Sequence, residues 1–395
     1  MNNYEKIVFA KKKEYLLRDI ANFSNGKGHE QVVEENGKYT LITSKAISTD
    51  MNICRHTNKN LSPLYKNDIA LVMSDLPNGK ALAKCFFVNE DDKYTLNQRI
   101  CRIWVKDENI VYPKYLYYVL NRNKQLLDYD NKTDQTNLKK DDILDIDVKL
   151  PDIEIQRETV SLFEKFEELL TNLNNEFYYR EKQLKYWREK MFSTSSNYLK
   201  LKELADINIG LTYTPNYVDE GIKFISSQNI SKDYLDLDNI KYITPEEYNS
   251  ASNSSKPKKG DIMFVRVGSN LGHPVIYNLD DDLCIFVSIG FLRLKTDNIT
   301  AKYMRHWMNS SHFMNQVKQK TNNAPKANLN STWLKEFEVP VPSINEQNEI
   351  VNILDAFDNL LNDSKYGLSK EIELIEKQYE FYKNMLLNTE EEYND

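Results

Sequence analysis

The stretch LRDIANFSNG, residues 17–26, recurs later in the chain as LKELADINIG, residues 201–210. Three further blocks recur in the same order: TLITSKAIS (40–48) with KFISSQNIS (223–231), KNDIALV (66–72) with KGDIMFV (259–265), and NLKKDDILDIDVKLP (137–151) with NLNSTWLKEFEVPVP (328–342). Blocks that keep their order but vary in spacing are typical of a duplicated domain, because the core is retained while the loops diverge. The duplication indicates a protein that binds two similar ligands or target segments, one in each module.

Each module has the pattern of an α+β domain. Short apolar runs at 69–73 and 262–267 are bounded by Gly, Pro and Asn turn signals, which is the pattern of β-strands. An amphipathic helix is predicted over 113–120 in the first module and over 301–308 in the second. The two modules are therefore predicted to share one architecture.

A long helix follows each module and its closing proline. Apolar residues step by three and four along both helices, as in a coiled-coil seam. The second helix has an irregular step near Gly367, where about three inserted residues predict a local change in coiling. The predicted fold is α+β, with two duplicated domains separated by two long antiparallel coiled-coil helices. Its boundaries are 1–150 for the first domain, 151–195 for the central helix, 196–341 for the second domain and 342–395 for the C-terminal helix.

Bulk composition indicates a globular protein of 395 residues with 41% hydrophobic and 11% aromatic content. No apolar run is long enough to span a membrane, and the polar N-terminus is unlike a secretory signal, so a cytoplasmic protein is expected. The net charge is −7, but residues 346–395 alone carry 13 acidic and 4 basic side chains. The remaining chain is slightly basic, which leaves room for local nucleic-acid contacts.

Catalytic signatures are missing from the sequence. It contains no glycine-rich nucleotide loop and no Asn/Asp-Pro-Pro-aromatic loop of the kind that DNA amino-methyltransferases use. The four cysteines and five histidines have no metal-ligand spacing, so no metal site is predicted. His306 is expected to be a packing or surface group, whereas His273 lies in a polar loop suited to ligand contact. A binding protein is therefore favoured over an enzyme.

The duplicated blocks, taken with the two long helices, resemble the specificity (S) subunit of type I restriction-modification systems over nearly the whole chain. Gln156 and Gln347 occupy equivalent places at the start of the two helices, 191 residues apart. The resemblance implies two target-recognition domains, each reading half of a split double-stranded DNA sequence, and no catalysis by this chain. It also implies two modification (methyltransferase) subunits docked on the helices, with restriction/translocase subunits in the full complex. S-adenosylmethionine and ATP/Mg are expected on those partners, and no cofactor is expected here.

Base-edge readout needs Arg, Lys, Asn and Gln side chains on loops beside strand ends. The loops found in this way predict the following DNA-binding residues: Lys45, Asn78, Lys80, Gln98, Arg99, Thr212, Tyr213, Gln228, Asn229, Arg266, Ser269, Asn270, His273 and Lys326. The helices predict the following partner-binding residues: Gln156, Phe163, Phe166, Leu170, Gln347, Leu354, Phe357 and Leu361.

Three other interpretations remain open at this point. One is a coiled-coil scaffold that joins two like protein-binding modules without DNA, and salt-sensitive binding to a duplex distinguishes it. Another is a self-contained methyltransferase, which S-adenosylmethionine binding by the isolated chain would reveal. The third is a specificity chain expressed without enzyme subunits.

Overall fold

The architecture is taken from a computed structural model, which describes residues 7, 9–29, 33–77, 79–193, 197–230, 234–238, 240–268, 270–321 and 328–387. The chain divides into two compact units. The first unit is Met1–Asn172 together with Glu373–Asp395, and the second unit is Leu173–Ile372. No helix among the described residues is both long and apolar enough to cross a membrane.

The first unit is an α+β body. Its strands are β1 (Lys13–Leu16), β2 (Ala21–Asn25), β3 (Val33–Glu34), β4 (Tyr39–Ile42), β5 (Arg55–Thr57), β6 (Ile69–Val72), β7 (Ser74–Asp75), β8 (Cys85–Phe87), β9 (Tyr94–Leu96), β10 (Ile100–Val105), β11 (Thr136–Asn137) and β12 (Asp147–Leu150). Its short helices are α1 (Leu17–Ile20), α2 (Ser44–Ser48), α3 (Pro113–Leu120), α4 (Lys124–Leu127) and α5 (Lys140–Leu144). The long helix α6 (Ile153–Ser193) begins in this unit and ends in the second.

The second unit repeats the main elements in the same order, with fewer short strands and an added helix at Pro245–Ser250. Its strands are β13 (Tyr198–Lys200), β14 (Ala205–Ile209), β15 (Ile222–Ile225), β16 (Lys241–Ile243), β17 (Ile262–Val265), β18 (Pro274–Ile276), β19 (Leu283–Ile285), β20 (Ile289–Leu294) and β21 (Glu338–Pro340). Its helices are α7 (Leu201–Leu204), α8 (Pro245–Ser250), α9 (Ala301–Met308), α10 (Ser311–Thr321), α11 (Ser331–Lys335) and α12 (Ile344–Asn362). The last helix, α13 (Leu368–Leu387), crosses back into the first unit.

The sheets show that the duplication is structural. A four-stranded antiparallel sheet has the order β2-β10-β6-β8 in the first unit and β14-β20-β17-β18 in the second. In each unit a second sheet contains one parallel pair, β4 with β9 and β15 with β19. Strands β6 and β17 are buried at every position, which fits their runs of Ile, Leu, Val, Met and Phe. The predicted α+β duplication is confirmed, as are the predicted helices α3 and α9.

The first long helix is continuous over 41 residues, which is about 60 Å at 1.5 Å per residue. The second long helix is interrupted, and the expectation of one helix with a coiling change near Gly367 is wrong. α12 ends at Asn362, and the Asp363 carboxylate accepts hydrogen bonds from the backbone of Lys365 and Tyr366, which turns the chain. A Cβ on Gly367 would lie 2.5 Å from the Asp363 nitrogen, so glycine is required there.

Apolar residues of the long helices belong to the cores of their own units. In the first unit Phe163 and Phe166 of α6 pack against Tyr379 of α13, with ring centroids 5.8 and 5.6 Å apart. In the second unit Leu184 of α6 shares a core with Leu354 of α12. The three-and-four spacing therefore predicted the buried face of each helix.

Candidate nucleic-acid interface

The predicted loops of the second unit meet at one short connector. Residues 286–288 join the end of β19 to the start of β20, and we call this connector the second hub. Backbone groups from three different loops bond to the hub or its flanks: Leu211 N to Ile285 O at 2.8 Å, Phe286 N to Ile225 O at 2.9 Å, and Arg266 N to Ser288 O at 2.8 Å. The loops after β14, β15 and β17 are therefore held side by side.

The first unit contains the same arrangement around residues 97–99, the first hub, between β9 and β10. The equivalent bonds are Lys27 N to Leu96 O at 3.2 Å, Asn97 N to Ile42 O at 3.1 Å, and Met73 N to Arg99 O at 3.0 Å. In each unit a fourth segment is hydrogen-bonded to one of the residues that contact the hub. Leu138 N donates to Met73 O at 2.8 Å in the first unit, and Leu329 N donates to Arg266 O at 2.9 Å in the second. The scaffold of the two loop clusters is thus the same.

A glycine lets the first loop of each unit approach its hub. A Cβ on Gly26 would lie 2.0 Å from the carbonyl oxygen of Asn97. A Cβ on Gly210 would lie 2.3 Å from the carbonyl oxygen of Phe286. No side chain fits at such distances, so these duplicated glycines have a structural role at the hubs.

The side chains presented at the two loop clusters differ in chemistry. The first unit exposes Lys45, Lys80, Gln98 and Arg99, which makes its cluster cationic. The second unit exposes Thr212, Tyr213, Gln228 and Asn270, while Asn229 and His273 are half-buried. The predicted residues Asn78, Ser269 and Lys326 lie outside the described residues. A shared scaffold therefore carries two different sets of polar groups.

Some predicted contact residues are engaged within their own unit. Tyr213 donates from its hydroxyl to Glu247 at 2.9 Å, and that hydrogen bond is the main reason why the pKa of Tyr213 is raised. The Asn229 side chain accepts from Ser226 N and donates to Asp236 O, so it organises its own loop. These two residues are held in fixed positions, which suits readout by a preorganised surface.

Arg266 was predicted to contact DNA, but the structure places its side chain inside the second unit. Its side chain is buried, with 5% of the residue exposed, and burial lowers the pKa of its guanidinium. The guanidinium donates to three acceptors around the second hub: Leu329 O at 2.9 Å, Val287 O at 2.7 Å and Asn328 Oδ1 at 3.2 Å. Arg266 therefore joins the loops together instead of projecting from them.

Sequence reasoning missed Asp75, which shapes the loop that carries Lys80. Its carboxylate accepts hydrogen bonds from the backbone nitrogens of Leu76, Ala81 and Leu82, at 2.9, 2.7 and 3.2 Å. An acidic residue that closes a loop on its own backbone nitrogens is a known turn device. The signal was present in the sequence, since an Asp lies two residues before the Pro-Asn-Gly turn.

The predicted partner-binding residues are mostly enclosed by their own chain. Gln156 and Gln347 are 0% exposed, and Phe163, Leu354 and Leu361 are also buried. Phe166, Leu170 and Phe357 are half-buried against the same cores. Large aromatic side chains that do reach the surface of the long helix were not among the predicted residues: Tyr178, Tyr179, Tyr186 and Trp187. Tyr178, Tyr179 and Tyr186 lie off the predicted seam, which was their signal in the sequence, whereas Trp187 lies on that seam.

One cluster in the second unit has the composition of a metal site. His306, Asp355 and Asp358 place potential ligand atoms within 4.8 Å of one another. Cations already pair with both carboxylates: Lys302 with Asp355 at 2.8 Å, and Arg188 and Arg305 with Asp358, each at 3.3 Å. His306 Nε2 lies 2.8 Å from Asp355 Oδ1, so the group is a partly buried cluster of ion pairs around a buried histidine.

Two copies of one α+β domain, each with a polar loop cluster on a shared scaffold, define a duplicated binding protein. A family model described as the type I restriction modification DNA specificity domain matches residues 10–185 and again residues 191–374. The chain therefore belongs to this family of specificity domains.

Relatives and solved structures agree with that assignment. The chain is 30% identical over 301 residues to the EcoR124I/EcoR124II specificity subunit of Escherichia coli, covering 71% of this chain and 72% of that protein. It is 21% identical to the MjaVIII specificity subunit of Methanocaldococcus jannaschii, covering 94% and 91%. Its fold is similar to that of the type I restriction-modification S subunit from M. genitalium, with a TM-score of 0.59, 15% identity and coverage of 99% and 98%. A structure concerned with complex assembly of the type I system matches at a TM-score of 0.60 with 14% identity, covering 96% and 98%.

Proposed function

We propose that this chain recognises a two-part DNA sequence, with each unit reading one half. The observation that carries the proposal is the repeated hub, where the same backbone hydrogen bonds hold different side chains in the two units. A conserved scaffold with exchanged polar groups is what two half-sites of different sequence require. Amide and guanidinium groups such as those of Gln98, Arg99 and Gln228 match base edges in the major groove.

Single substitutions at each hub test this proposal. Arg99→Ala in the first unit and Gln228→Ala in the second should each relax sequence preference in one half of the target only. A lost bidentate base contact costs about 1–3 kcal/mol of discrimination. Lys124→Ala is the matched control, because Lys124 is exposed on α4 of the first unit and is not one of the hub or loop-cluster residues.

The measurement is the set of methylated adenines in cells that express the chain with modification subunits. The two-reader proposal expects a split motif, with each variant broadening its own half. A contiguous motif, or variants that broaden both halves together, would contradict it. Binding of the full chain to a duplex with the mapped motif should weaken steeply with salt, whereas a protein scaffold without DNA contacts would show no such binding.

We further propose that the chain performs no catalysis and docks two modification subunits through its long helices. S-adenosylmethionine would then bind those partners, and ATP with Mg²⁺ would bind the restriction/translocase subunits. Equilibrium dialysis of the isolated chain with S-adenosylmethionine is the direct test, and binding there would contradict the proposal. Such a complex would assemble in the cytoplasm, where its DNA substrate lies.

The exposed aromatic face of α6 supports docking. Tyr179 and Tyr186 are 62% and 59% exposed, and exposed aromatic side chains are enriched at the centres of protein interfaces. Tyr179→Ala with Tyr186→Ala should weaken assembly with the modification subunits by more than tenfold, since interface hot spots are each worth about 2 kcal/mol or more. Tyr129→Ala is the control, because Tyr129 is 50% exposed outside the long helices. Unchanged assembly of the double variant would overturn this docking surface.

A further inference from the structure

The two units contain the same polar cluster between their short helix and a long helix. Helices α3 and α9 have the sequences PKYLYYVL and AKYMRHWM, which align without gaps. Each cluster is centred on a carboxylate, Glu167 in the first unit and Asp358 in the second, 191 residues apart. Two contacts match closely: Lys114 with Glu164 at 2.5 Å corresponds to Lys302 with Asp355 at 2.8 Å, and Tyr379 with Glu167 at 2.8 Å corresponds to Arg188 with Asp358 at 3.3 Å. The third pair is looser, because Tyr118 hydrogen-bonds Glu167 at 3.1 Å, whereas His306 Nδ1 lies 3.9 Å from Asp358 and the hydrogen bond of His306 goes to Asp355.

One position in this alignment breaks the correspondence. In the second unit Arg305 lies on α9 and reaches Asp358, with 3.3 Å between Nη1 and Oδ2. The residue at the same place on α3 is Tyr117, which brings no positive charge. A pocket of about 330 Å³ opens at this point of the first unit, lined by Tyr117 and Glu167 among others. The first unit thus has the carboxylate and a space beside it, without the guanidinium.

Four of the eleven residues that line this pocket are aromatic. Phe86, Phe87, Tyr117 and Tyr118 line it together with the side chain of Met51. Two of these rings, Phe87 and Tyr117, lie with their centroids 5.7 Å apart. Aromatic faces attract cations, and a planar guanidinium stacks on them better than an ammonium group does. The walls therefore favour a flat cationic ligand.

The polar groups of the pocket leave negative charge for a ligand. Tyr118 and Tyr379 both donate to Oε1 of Glu167, and because phenols are neutral they leave the charge of the carboxylate in place. The pocket cation Lys114 is already paired with Glu164. Burial raises the pKa of Tyr117, and the negative charge of Glu167 adds to that effect. The same charge disfavours an anionic ligand.

We propose that this pocket binds the guanidinium group of an arginine presented by a partner polypeptide. The incoming arginine would take the place that Arg305 fills in the second unit, with its charge against Glu167 and its plane against the aromatic rings. A carboxylate and a guanidinium form charge-assisted hydrogen bonds in a fixed geometry, which gives the contact its specificity. The first unit would then complete its cluster only in a complex. This inference does not depend on DNA recognition.

The test uses the full chain labelled at its methionine and isoleucine methyl groups, observed by NMR. The probe is N-acetyl-arginine amide, which imitates an arginine within a polypeptide. It should shift the signals of Met51 and Ile47, which line the pocket, with a dissociation constant on the order of millimolar for so small a ligand. The citrulline analogue, which lacks the charge, and the lysine analogue should each bind at least about tenfold more weakly.

Two variants separate the site from the fold. Glu167→Gln keeps an acceptor for both phenols and removes the charge. This variant should therefore have the melting temperature of the unmodified chain and should no longer bind the probe. Tyr117→Arg copies the second unit and should fill the pocket from within, which also abolishes probe binding.

Several outcomes would overturn the proposal. One is probe binding that survives in either variant, and another is equal affinity for the lysine or citrulline analogue. Absence of any shift in the unmodified chain would also overturn it. Free arginine that binds more than about tenfold better than the blocked probe would point to a metabolite and against a polypeptide partner. Duplex binding, measured in the same variants, should remain unchanged, so failure here is distinguishable from failure of the DNA proposal.

Discussion

Gln156 donates a hydrogen bond from Nε2 to the carbonyl oxygen of Ile110 at 2.9 Å, which attaches the start of α6 to the loop before α3. The same amide accepts from the Tyr112 nitrogen at 2.8 Å through its Oε1. Gln347 repeats both contacts in the second unit, donating to Asn298 O at 2.8 Å and accepting from Thr300 N at 3.0 Å. Each glutamine therefore fixes a recognition domain to its own long helix.

Replacing either glutamine should destabilise its unit. Gln156→Leu keeps a similar volume but leaves buried backbone groups of the α3 loop unpaired, and each such group costs about 1–3 kcal/mol. Gln347→Leu should have the same effect on the second unit. Chemical denaturation measures the change in unfolding free energy. Gln378→Leu is the control, because Gln378 is exposed on α13. Equal stability of all three variants would show that the buried amides do not hold the helices to the domains.

The hub glycines should be intolerant of alanine. Gly26→Ala places a Cβ at 2.0 Å from the Asn97 carbonyl oxygen, so the first loop must move away from its hub. We expect lower unfolding free energy and weaker duplex binding, because the loop that carries Lys27 loses its position. Asn25→Ala, at an exposed neighbouring position, should change neither quantity. Full duplex binding by Gly26→Ala would argue that the first loop takes no part in recognition.

Much of the fold was predictable because duplication supplies an internal alignment. The pairing of Gln156 with Gln347, and the bounds of α3 and α9, could be read from matched blocks and apolar spacing. The role of the glutamines could not be predicted from the sequence, because hydrogen bonds between residues such as Gln156 and Ile110 depend on the tertiary fold. The break at Gly367 was visible only as an irregular step, because a local turn and a change in coiling shift the seam in the same way.

For the candidate site, the sequence located the loops but could not show which of their side chains are exposed. Arg99 and Arg266 both lie in polar loops after strands and look alike in sequence. Only the fold distinguishes the exposed guanidinium of Arg99 from the buried one of Arg266, whose acceptors come from segments distant in the chain. Local sequence marks a loop, whereas burial is decided by what packs around it.

Arg266→Lys should therefore lower stability more than it changes specificity. Lysine keeps the charge but lacks the fork that reaches Leu329, Val287 and Asn328 together. Loss of unfolding free energy of about 1–3 kcal/mol is expected, measured by chemical denaturation. Arg99→Lys, at an exposed position, is the matched control and should leave stability unchanged. If Arg266→Lys altered the methylated motif while stability stayed constant, Arg266 would be a base reader after all.

The ion-pair cluster at His306 should make the second unit sensitive to mild acid. Burial lowers the pKa of the His306 imidazole below its ordinary 6.5, despite the opposing effect of Asp355 and Asp358. Between the lowered folded pKa and 6.5 the unfolded chain binds more protons than the folded chain. Unfolding free energy should therefore rise with pH through this window and fall as the pH drops below about 6.5. Burial raises the pKa of the Asp355 carboxyl, but the hydrogen bonds and charges of Lys302 and His306 together outweigh burial and hold that pKa below 3.8.

Denaturation followed by tryptophan fluorescence at pH 5 and pH 7 measures this effect, since Trp307 lies in the second unit beside His306. His306→Gln retains a donor for Asp355 and removes the titrating ring, so the difference in unfolding free energy between the two pH values should shrink. His312→Gln is the control, because His312 lies in the same unit outside the cluster. A pH difference that persists unchanged in His306→Gln would assign the sensitivity to another group. The opposite sign, greater stability at pH 5, would mean that the two carboxylates outweigh burial and that His306 is charged in the folded chain.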